Sequence, residues 1–114
     1  MEEAGSIELA RVLYHHCAQQ SDETMRLFGS VLMNRVGRRE FGDTLEQVLM
    51  AYPSTPVYDS RTLACAKALC EGWRSFDAAP EEVVHAVHMQ QDQSAYETLG
   101  FWRVCGDYVF YYQA

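Results

Sequence analysis

The helical and the strand-like parts of this 114-residue sequence do not alternate along the chain. Apolar residues at helical spacing fill the sequence up to about residue 72, and short β-branched and aromatic runs follow them. Helices that precede strands, rather than alternating with them, are typical of α+β folds. We therefore predict an α+β domain in which about four helices are followed by a small antiparallel sheet with a C-terminal β-hairpin.

Two helices are predicted in the first third of the chain. Ser6 is a suitable N-cap for a helix over residues 7–18, because a serine side chain can accept a hydrogen bond from the first turn. Ser21 is the predicted N-cap of the second helix, and Gly37 is its predicted end. Acidic residues follow both caps, where they complement the helix dipole.

Two more helices are predicted in the middle of the chain. Residues 43–46 resemble a capping box that opens a short helix ending at about Met50, and a proline-containing loop follows. Asp59 or Ser60 caps the next helix, which ends near Gly72. One face of this helix carries Leu63, Ala66, Cys70 and Trp73.

Strand patterns dominate the C-terminal part. Residues 83–89 are β-branched and predict one strand, and residues 94–99 predict a turn or two of helix. Gly106-Asp107 separates the runs 102–105 and 108–112, as in a tight β-hairpin. By alternation, we expect one face of the last strand to pack on the helices and the other to be exposed. The packed face is Tyr108, Phe110 and Tyr112, and the exposed face is Val109 and Tyr111.

Length and charge restrict the domain organisation and the partners. The length fits a single domain over residues 1–114. The net charge of −7 argues against nucleic acid as a direct partner and favours a protein partner with a basic surface. No apolar run approaches the length of a membrane span, and the first residues are unlike an export signal. We therefore expect a cytoplasmic protein with reduced cysteines and no membrane partner.

Two segments of the helical part resemble a known family. Residues 8–14, followed by residues 28–36 with their Asn34-Arg35-Val36 ending, resemble the SleB-type cell-wall hydrolases, which include spore-cortex-lytic enzymes. The closing run 106–111 is similar to that family's Gly-x-His-Val-Phe-Tyr strand. The resemblance covers roughly residues 7 to 112 and implies a lysozyme-like fold that acts on the glycan strands of peptidoglycan.

The resemblance also implies that the catalytic segment has changed. The family pattern has a glutamate two residues after the tyrosine that corresponds to Tyr14, and this sequence has His16 there. Ala18, Gln19 and Gln20 occupy the family's Arg, Gly and second Glu positions. Glycoside cleavage requires a carboxylic acid that keeps its proton near neutral pH. A histidine can donate a proton, but it cannot replace the carboxylate that stabilises an oxocarbenium ion.

Candidate site residues follow from this comparison. His16 and Glu23, the nearest remaining acid, are the candidate catalytic residues, although an acid at the start of a helix is more commonly a partner of the helix dipole. No cofactor and no metal are expected, because no histidine or cysteine spacing fits a metal site. The candidate binding residues are Tyr14, Gln20, Tyr52, Tyr58 and Tyr111.

Two functions remain open from the sequence. The first is an acidic binding or inhibitory protein built on a lapsed hydrolase scaffold, a class that includes small inhibitors by which phages and other mobile elements blunt host defences, as anti-CRISPR proteins do. The second is an active peptidoglycan glycosidase or lytic transglycosylase of the SleB type. Its partner would be the peptidoglycan glycan, and its acid would be Glu23 or another carboxylate in the cleft.

Overall fold

A computed structural model describes residues 3–72 and 78–113 of the chain, and the predicted apolar position Trp73 lies outside the described residues. The prediction of an α+β domain with helices before strands is confirmed. The elements are α1 (Glu3–Cys17), α2 (Asp22–Arg35), α3 (Leu45–Leu49), α4 (Ser60–Cys70), β1 (Val83–His88), a 3-10 turn (Ser94–Tyr96), β2 (Phe101–Cys105) and β3 (Tyr108–Tyr112).

Helix α1 begins earlier than predicted. It starts at Glu3, so the prediction that Ser6 is its N-cap is wrong. Ser6 lies inside the helix and is buried. Residues three, four and seven positions apart share a helix face, so Ser6 continues the buried stripe formed by Leu9, Ala10 and Leu13. A small side chain fits this stripe, and the serine therefore packs instead of capping.

The predicted caps Ser21 and Asp59 are confirmed, and the capping box predicted over residues 43–46 lies one residue later. Ser21 Oγ accepts a hydrogen bond from the Thr24 amide at 3.2 Å. Thr44 and Gln47 form a reciprocal capping box at the start of α3. The Asp59 carboxylate accepts from the Thr62 amide at 2.8 Å. These bonds satisfy amides that have no partner within the helix itself, which fixes where each helix begins.

The sheet has the strand order β1-β3-β2, and both pairings are antiparallel. The predicted hairpin is confirmed, with Gly106 at φ +58° in its turn. The prediction that Tyr111 is exposed is wrong, because this residue is only 8% exposed. Strand β3 is central and is covered on both faces: helices pack on one face, and the Tyr96 ring stacks on Tyr111 at 5.4 Å on the other.

The Asn34-Arg35 pair joins the end of α2 to β1. Asn34 Nδ2 donates to the carbonyl oxygens of Pro80 and Val83 at 2.8 and 3.0 Å. Arg35 Nε donates to the Val84 carbonyl oxygen at 2.6 Å. These bonds supply partners for carbonyls at the start of an edge strand. The pair therefore positions the sheet against the helices.

One hydrophobic core connects the helices to the sheet. Its largest fully buried side chains include Phe28 of α2 and Phe110 of β3. Helices α2 and α4 approach closely at Gly29, where a Cβ atom would lie 2.4 Å from Leu69 Cδ1. In the described part of the chain, every helix is too short or too polar to cross a bilayer.

Candidate functional site

A cluster of aromatic rings lies where the helices meet the sheet. We call it the ring cluster and define it by its eight rings and one guanidinium. Neighbouring rings lie 5.0 to 6.2 Å apart between centroids, and the Arg35 guanidinium connects the Phe41 and Tyr52 rings. The members are His16, Phe28, Arg35, Phe41, Tyr52, His85, Tyr96, Tyr108 and Tyr111.

His16 lies at the helical end of the ring cluster. Its ring stacks on Phe28 at 5.1 Å and meets the edge of Tyr52 at 5.8 Å. Nε2 is buried and has no hydrogen-bond partner among the described residues. Burial, with a smaller contribution from neighbouring His15, lowers the pKa of His16 from 6.5 to about 4, although the Pro53 backbone opposes this shift. His16 is therefore a neutral, packed imidazole near neutral pH.

Arg35 carries the positive charge of the ring cluster. Its guanidinium carbon lies 4.2 Å from the centre of the Phe41 ring and 5.3 Å from that of Tyr52. Nη2 lies 3.5 Å from His85 Nδ1. Burial lowers the pKa of Arg35, and it raises the pKa of Tyr52. At neutral pH the cation is thus surrounded by uncharged rings, an arrangement that cation–π attraction stabilises in part.

The loop between α1 and α2 is tied to the β-hairpin. Gln20 Nε2 donates to the Asp107 carboxylate at 2.9 Å, and Gln20 Oε1 accepts from the Asp107 amide at 3.1 Å. Arg61 donates to the carbonyl oxygen of Gln20 and to the Asp22 carboxylate. Tyr108 Oη donates to the carbonyl oxygen of His16 at 2.8 Å, which provides a partner for the end of α1. Gln20, a predicted binding residue, therefore has a structural role in holding this loop.

Glu23 lies on the first turn of α2 and outside the ring cluster. Its side chain is 56% exposed, and Glu23 Oε2 lies 3.8 Å from Arg103 Nη1. An exposed pair at this distance is weak, so the carboxylate is hydrated. The structure does not bring Glu23 into contact with His16.

The predicted binding tyrosines have different environments. Tyr52 and Tyr111 belong to the ring cluster, and Tyr111 Oη donates to Gln93 Oε1 at 2.6 Å. Tyr58 is 37% exposed in the loop before α4. Tyr14 is half-buried on α1. Neither Tyr14 nor Tyr58 contacts another ring within residues 3–72 and 78–113.

Sequence reasoning missed six members of the ring cluster as site residues, namely Phe28, Arg35, Phe41, His85, Tyr96 and Tyr108. In the sequence analysis, Arg35 was named only as part of a family motif. Its position directly before Val36, at the end of an apolar helix stripe, could have indicated a partly buried charge. Tyr96 lies in the short 3-10 turn, where no periodic pattern points to a buried or exposed face. Within the described residues, no group of three His, Cys, Asp or Glu side chains could hold a metal ion.

The architecture is that of a lysozyme-like catalytic domain of the SleB type. The catalytic domain of the germination-specific lytic transglycosylase SleB from Bacillus anthracis matches it with a TM-score of 0.82. The match covers 97% of this chain and 96% of that chain at 12% sequence identity. The catalytic domain of the Bacillus cereus SleB protein matches with a TM-score of 0.75 and 14% identity, over 95% of this chain and 90% of that chain.

The sequence comparisons contribute nothing further, since no family model and no curated protein matches the chain. The structural matches confirm the predicted lysozyme-like, SleB-type fold. At 12 and 14% identity they establish the fold alone, because one fold hosts many activities.

Proposed function

We propose that this chain is a SleB-like domain that has lost glycosidase catalysis and binds a glycan of the peptidoglycan type without cleaving it. One observation carries the proposal. Where the family resemblance places the catalytic glutamate, the chain has His16, whose Nε2 is buried and without a partner among the described residues.

His16 is poorly suited to replace a catalytic carboxylic acid. With its pKa lowered to about 4, it holds almost no extra proton near neutral pH. Its buried Nε2 cannot reach a glycosidic oxygen unless the surrounding rings move. A neutral imidazole also provides no negative charge to stabilise an oxocarbenium ion.

The nearby carboxylates offer no replacement. Glu23 is exposed and pairs with Arg103, away from the ring cluster. Asp107 exchanges two hydrogen bonds with Gln20 in the hairpin turn. A glycosidic acid is typically partly buried, whereas Glu23 and Asp107 are both exposed.

The ring cluster supports binding as the remaining activity. Tyr52 and Tyr96 are only half-buried, so their rings can still contact a ligand. Aromatic rings offer large, rigid contact surfaces with polar ends, which suits sugar rings. The inhibitory role against a basic protein partner, which the net charge of −7 favours, stays a prediction.

An active lytic transglycosylase is the second candidate. It is favoured by the match of 97% of this chain to the catalytic domain of a lytic transglycosylase. In that case Glu23 is the candidate acid, and its exchange with Gln would abolish turnover.

The test compares native protein with His16→Glu and with His15→Glu as the matched control. His15 is the exposed neighbour of His16, so its exchange adds the same charge outside the ring cluster. Purified peptidoglycan is incubated with each protein, muropeptides are measured by mass spectrometry, and bound protein is measured by co-sedimentation.

We expect the native protein to sediment with peptidoglycan and to release no muropeptide. Muropeptide release by His16→Glu but not by His15→Glu would support the proposal further, because it would show that the native cleft is intact and lacks only its acid. Release by the native protein would overturn the loss of catalysis, and failure to sediment would overturn glycan binding.

A further inference from the structure

Arg35 is a half-buried cation without a carboxylate partner. Among the residues that the structure describes, no carboxylate oxygen lies within 4.0 Å of its guanidinium. Removing a charge from water without pairing it is costly, and such charges are retained where they bind something. The bond to the Val84 carbonyl oxygen uses Nε alone.

The outer edge of the guanidinium is available. Nη2 has only the long 3.5 Å contact to His85 Nδ1. Nη1 donates to no described residue, and it is not among the polar atoms that are sealed from solvent. Two parallel N–H groups on one edge of a guanidinium match the two oxygens of a carboxylate.

The surroundings of Arg35 supply no negative charge of their own. Burial raises the pKa of Tyr52, so its phenol stays protonated and can act as a hydrogen-bond donor. Burial and the neighbouring Arg35 lower the pKa of His85, so its imidazole stays neutral at pH 7. An anion that approaches the guanidinium therefore meets a cation and hydrogen-bond donors, and no carboxylate of the described residues lies within 4.0 Å of the guanidinium.

Tyr52 connects Arg35 to the position of the missing catalytic acid. Its ring lies 5.8 Å from the ring of His16 and 5.3 Å from the Arg35 guanidinium carbon. A sugar on the Tyr52 side of the ring cluster could thus hold a carboxylate substituent near Arg35.

We propose that Arg35 forms a subsite for the free carboxylate of an acidic sugar, as on a muramic acid unit that carries no stem peptide, with Tyr52 beside it. This inference rests on the proposed glycan binding, and it adds which chemical group of the ligand is recognised and by which residue. Arg35 is a ligand-binding residue in this proposal and takes part in no bond cleavage.

Three probes separate the carboxylate from the sugar ring. N-acetylmuramic acid carries a carboxylate, its methyl ester is the same sugar without the charge, and N-acetylglucosamine lacks the whole substituent. Binding of each probe to native protein is followed by NMR titration at neutral pH. We expect the acid to bind about tenfold tighter than the ester, since a charge-assisted pair contributes on that scale.

Variants then assign the preference to Arg35. Arg35→Met removes the charge, and Arg35→Lys keeps the charge but loses the planar fork. Arg103→Met is the matched control, because Arg103 is an exposed arginine outside the ring cluster. We expect the preference for the acid to vanish in Arg35→Met, to weaken in Arg35→Lys and to persist in Arg103→Met.

The comparison of acid with ester on native protein does not depend on any variant folding. Equal affinity for acid and ester would overturn the subsite, and so would binding of none of the probes. A preference that survives in folded Arg35→Met would overturn the assignment. Muropeptide release by native protein would instead overturn the loss of catalysis and leave the carboxylate preference standing.

Discussion

At the scale of single residues, burial determines the chemistry of His16 and Arg35. Both side chains are cations in water when protonated, and both lie among aromatic rings. The imidazole responds by losing its proton, because its ordinary pKa of 6.5 is close to neutral. Burial lowers the pKa of Arg35 as well, but a guanidinium is not deprotonated in proteins and cannot respond in this way. His16 therefore packs, and Arg35 retains a charge.

The lowered pKa of His16 predicts a stability that depends on pH. The unfolded chain binds a proton at His16 below pH 6.5, whereas the folded chain resists protonation down to about pH 4. The stabilisation is therefore complete above pH 6.5 and is lost as the pH falls toward 4. Melting temperatures measured from about pH 7 to about pH 4.5 should fall less in His16→Gln than in the native protein.

The control for this experiment is His15→Gln, which removes an exposed imidazole. It should keep most of the native pH dependence. A pH profile that is identical in the native protein and in His16→Gln would show that His16 titrates normally.

At the scale of elements, the hairpin turn is held by the loop between α1 and α2. Gly106 has φ +58°, and a Cβ atom there would lie 2.5 Å from Gln20 Oε1 and 2.6 Å from Thr24 Oγ1. The glycine is therefore required both by its backbone conformation and by the close approach of α2. This contact places the hairpin next to His16, whose carbonyl oxygen accepts from Tyr108.

Exchange of Gly106 for alanine should test this docking. Gly106→Ala combines backbone strain with displacement of the Gln20 side chain, and we expect a loss of about 2 to 3 kcal/mol in the free energy of unfolding. Gly37→Ala is the control, because Gly37 has φ +88° and open space where its Cβ would be. Gly37→Ala should lower the free energy of unfolding only by the backbone strain of alanine at positive φ, which is about 1 kcal/mol. Urea denaturation of both variants measures the difference, and equal losses would contradict the docking role.

The end of α2 is a second point where one element positions another. Asn34 donates two hydrogen bonds to the carbonyls that precede and begin β1. Asn34→Ala should destabilise the fold by about 1 to 3 kcal/mol, since two hydrogen bonds are lost and the Pro80 carbonyl keeps only the bond from the Val83 amide. Asn34→Asp should cost more, because a carboxylate would face both carbonyl oxygens. Chemical denaturation measures the free energies of unfolding of the native protein and the two variants. An Asn34→Asp variant as stable as the native protein would refute the role of Asn34 as a donor to these carbonyls.

At the scale of the whole molecule, one core connects the helices to the sheet. Phe110 on the central strand is fully buried, and it belongs to the same cluster as Phe28 and Leu69 of the helices. A single shared core implies a single cooperative unfolding transition.

Phe110→Ala tests this cooperativity. The cavity should cost about 3 to 5 kcal/mol, and helix and sheet signals should still be lost together. Far-UV circular dichroism reports the helices, and the fluorescence of Trp102 on β2 in a Trp73→Phe background reports the sheet, both followed in thermal scans. Transitions that separate in the variant would mean that the helices and the sheet are independent units.

The local features of the fold could be predicted from the sequence because each depends on neighbours along the chain. The caps at Ser21 and Asp59 and the turn at Gly106 involve residues within three or four positions. The prediction that Ser6 caps α1 was wrong because it considered only neighbours along the chain. Whether a serine caps or packs depends on what covers its face of the helix, and that is decided by distant residues.

The composition of the ring cluster was decided by the tertiary structure. Tyr111 is buried because β3 is the central strand and Tyr96 covers its second face, and neither strand order nor that contact follows from alternation. The order of helices and strands could be predicted from the sequence alone, and a catalytic position for His16 is what the family resemblance implies. That His16 is half-buried and neutral, and that Arg35 lacks a carboxylate partner among the described residues, follows from the tertiary structure, because charge and burial depend on contacts between residues far apart in the chain.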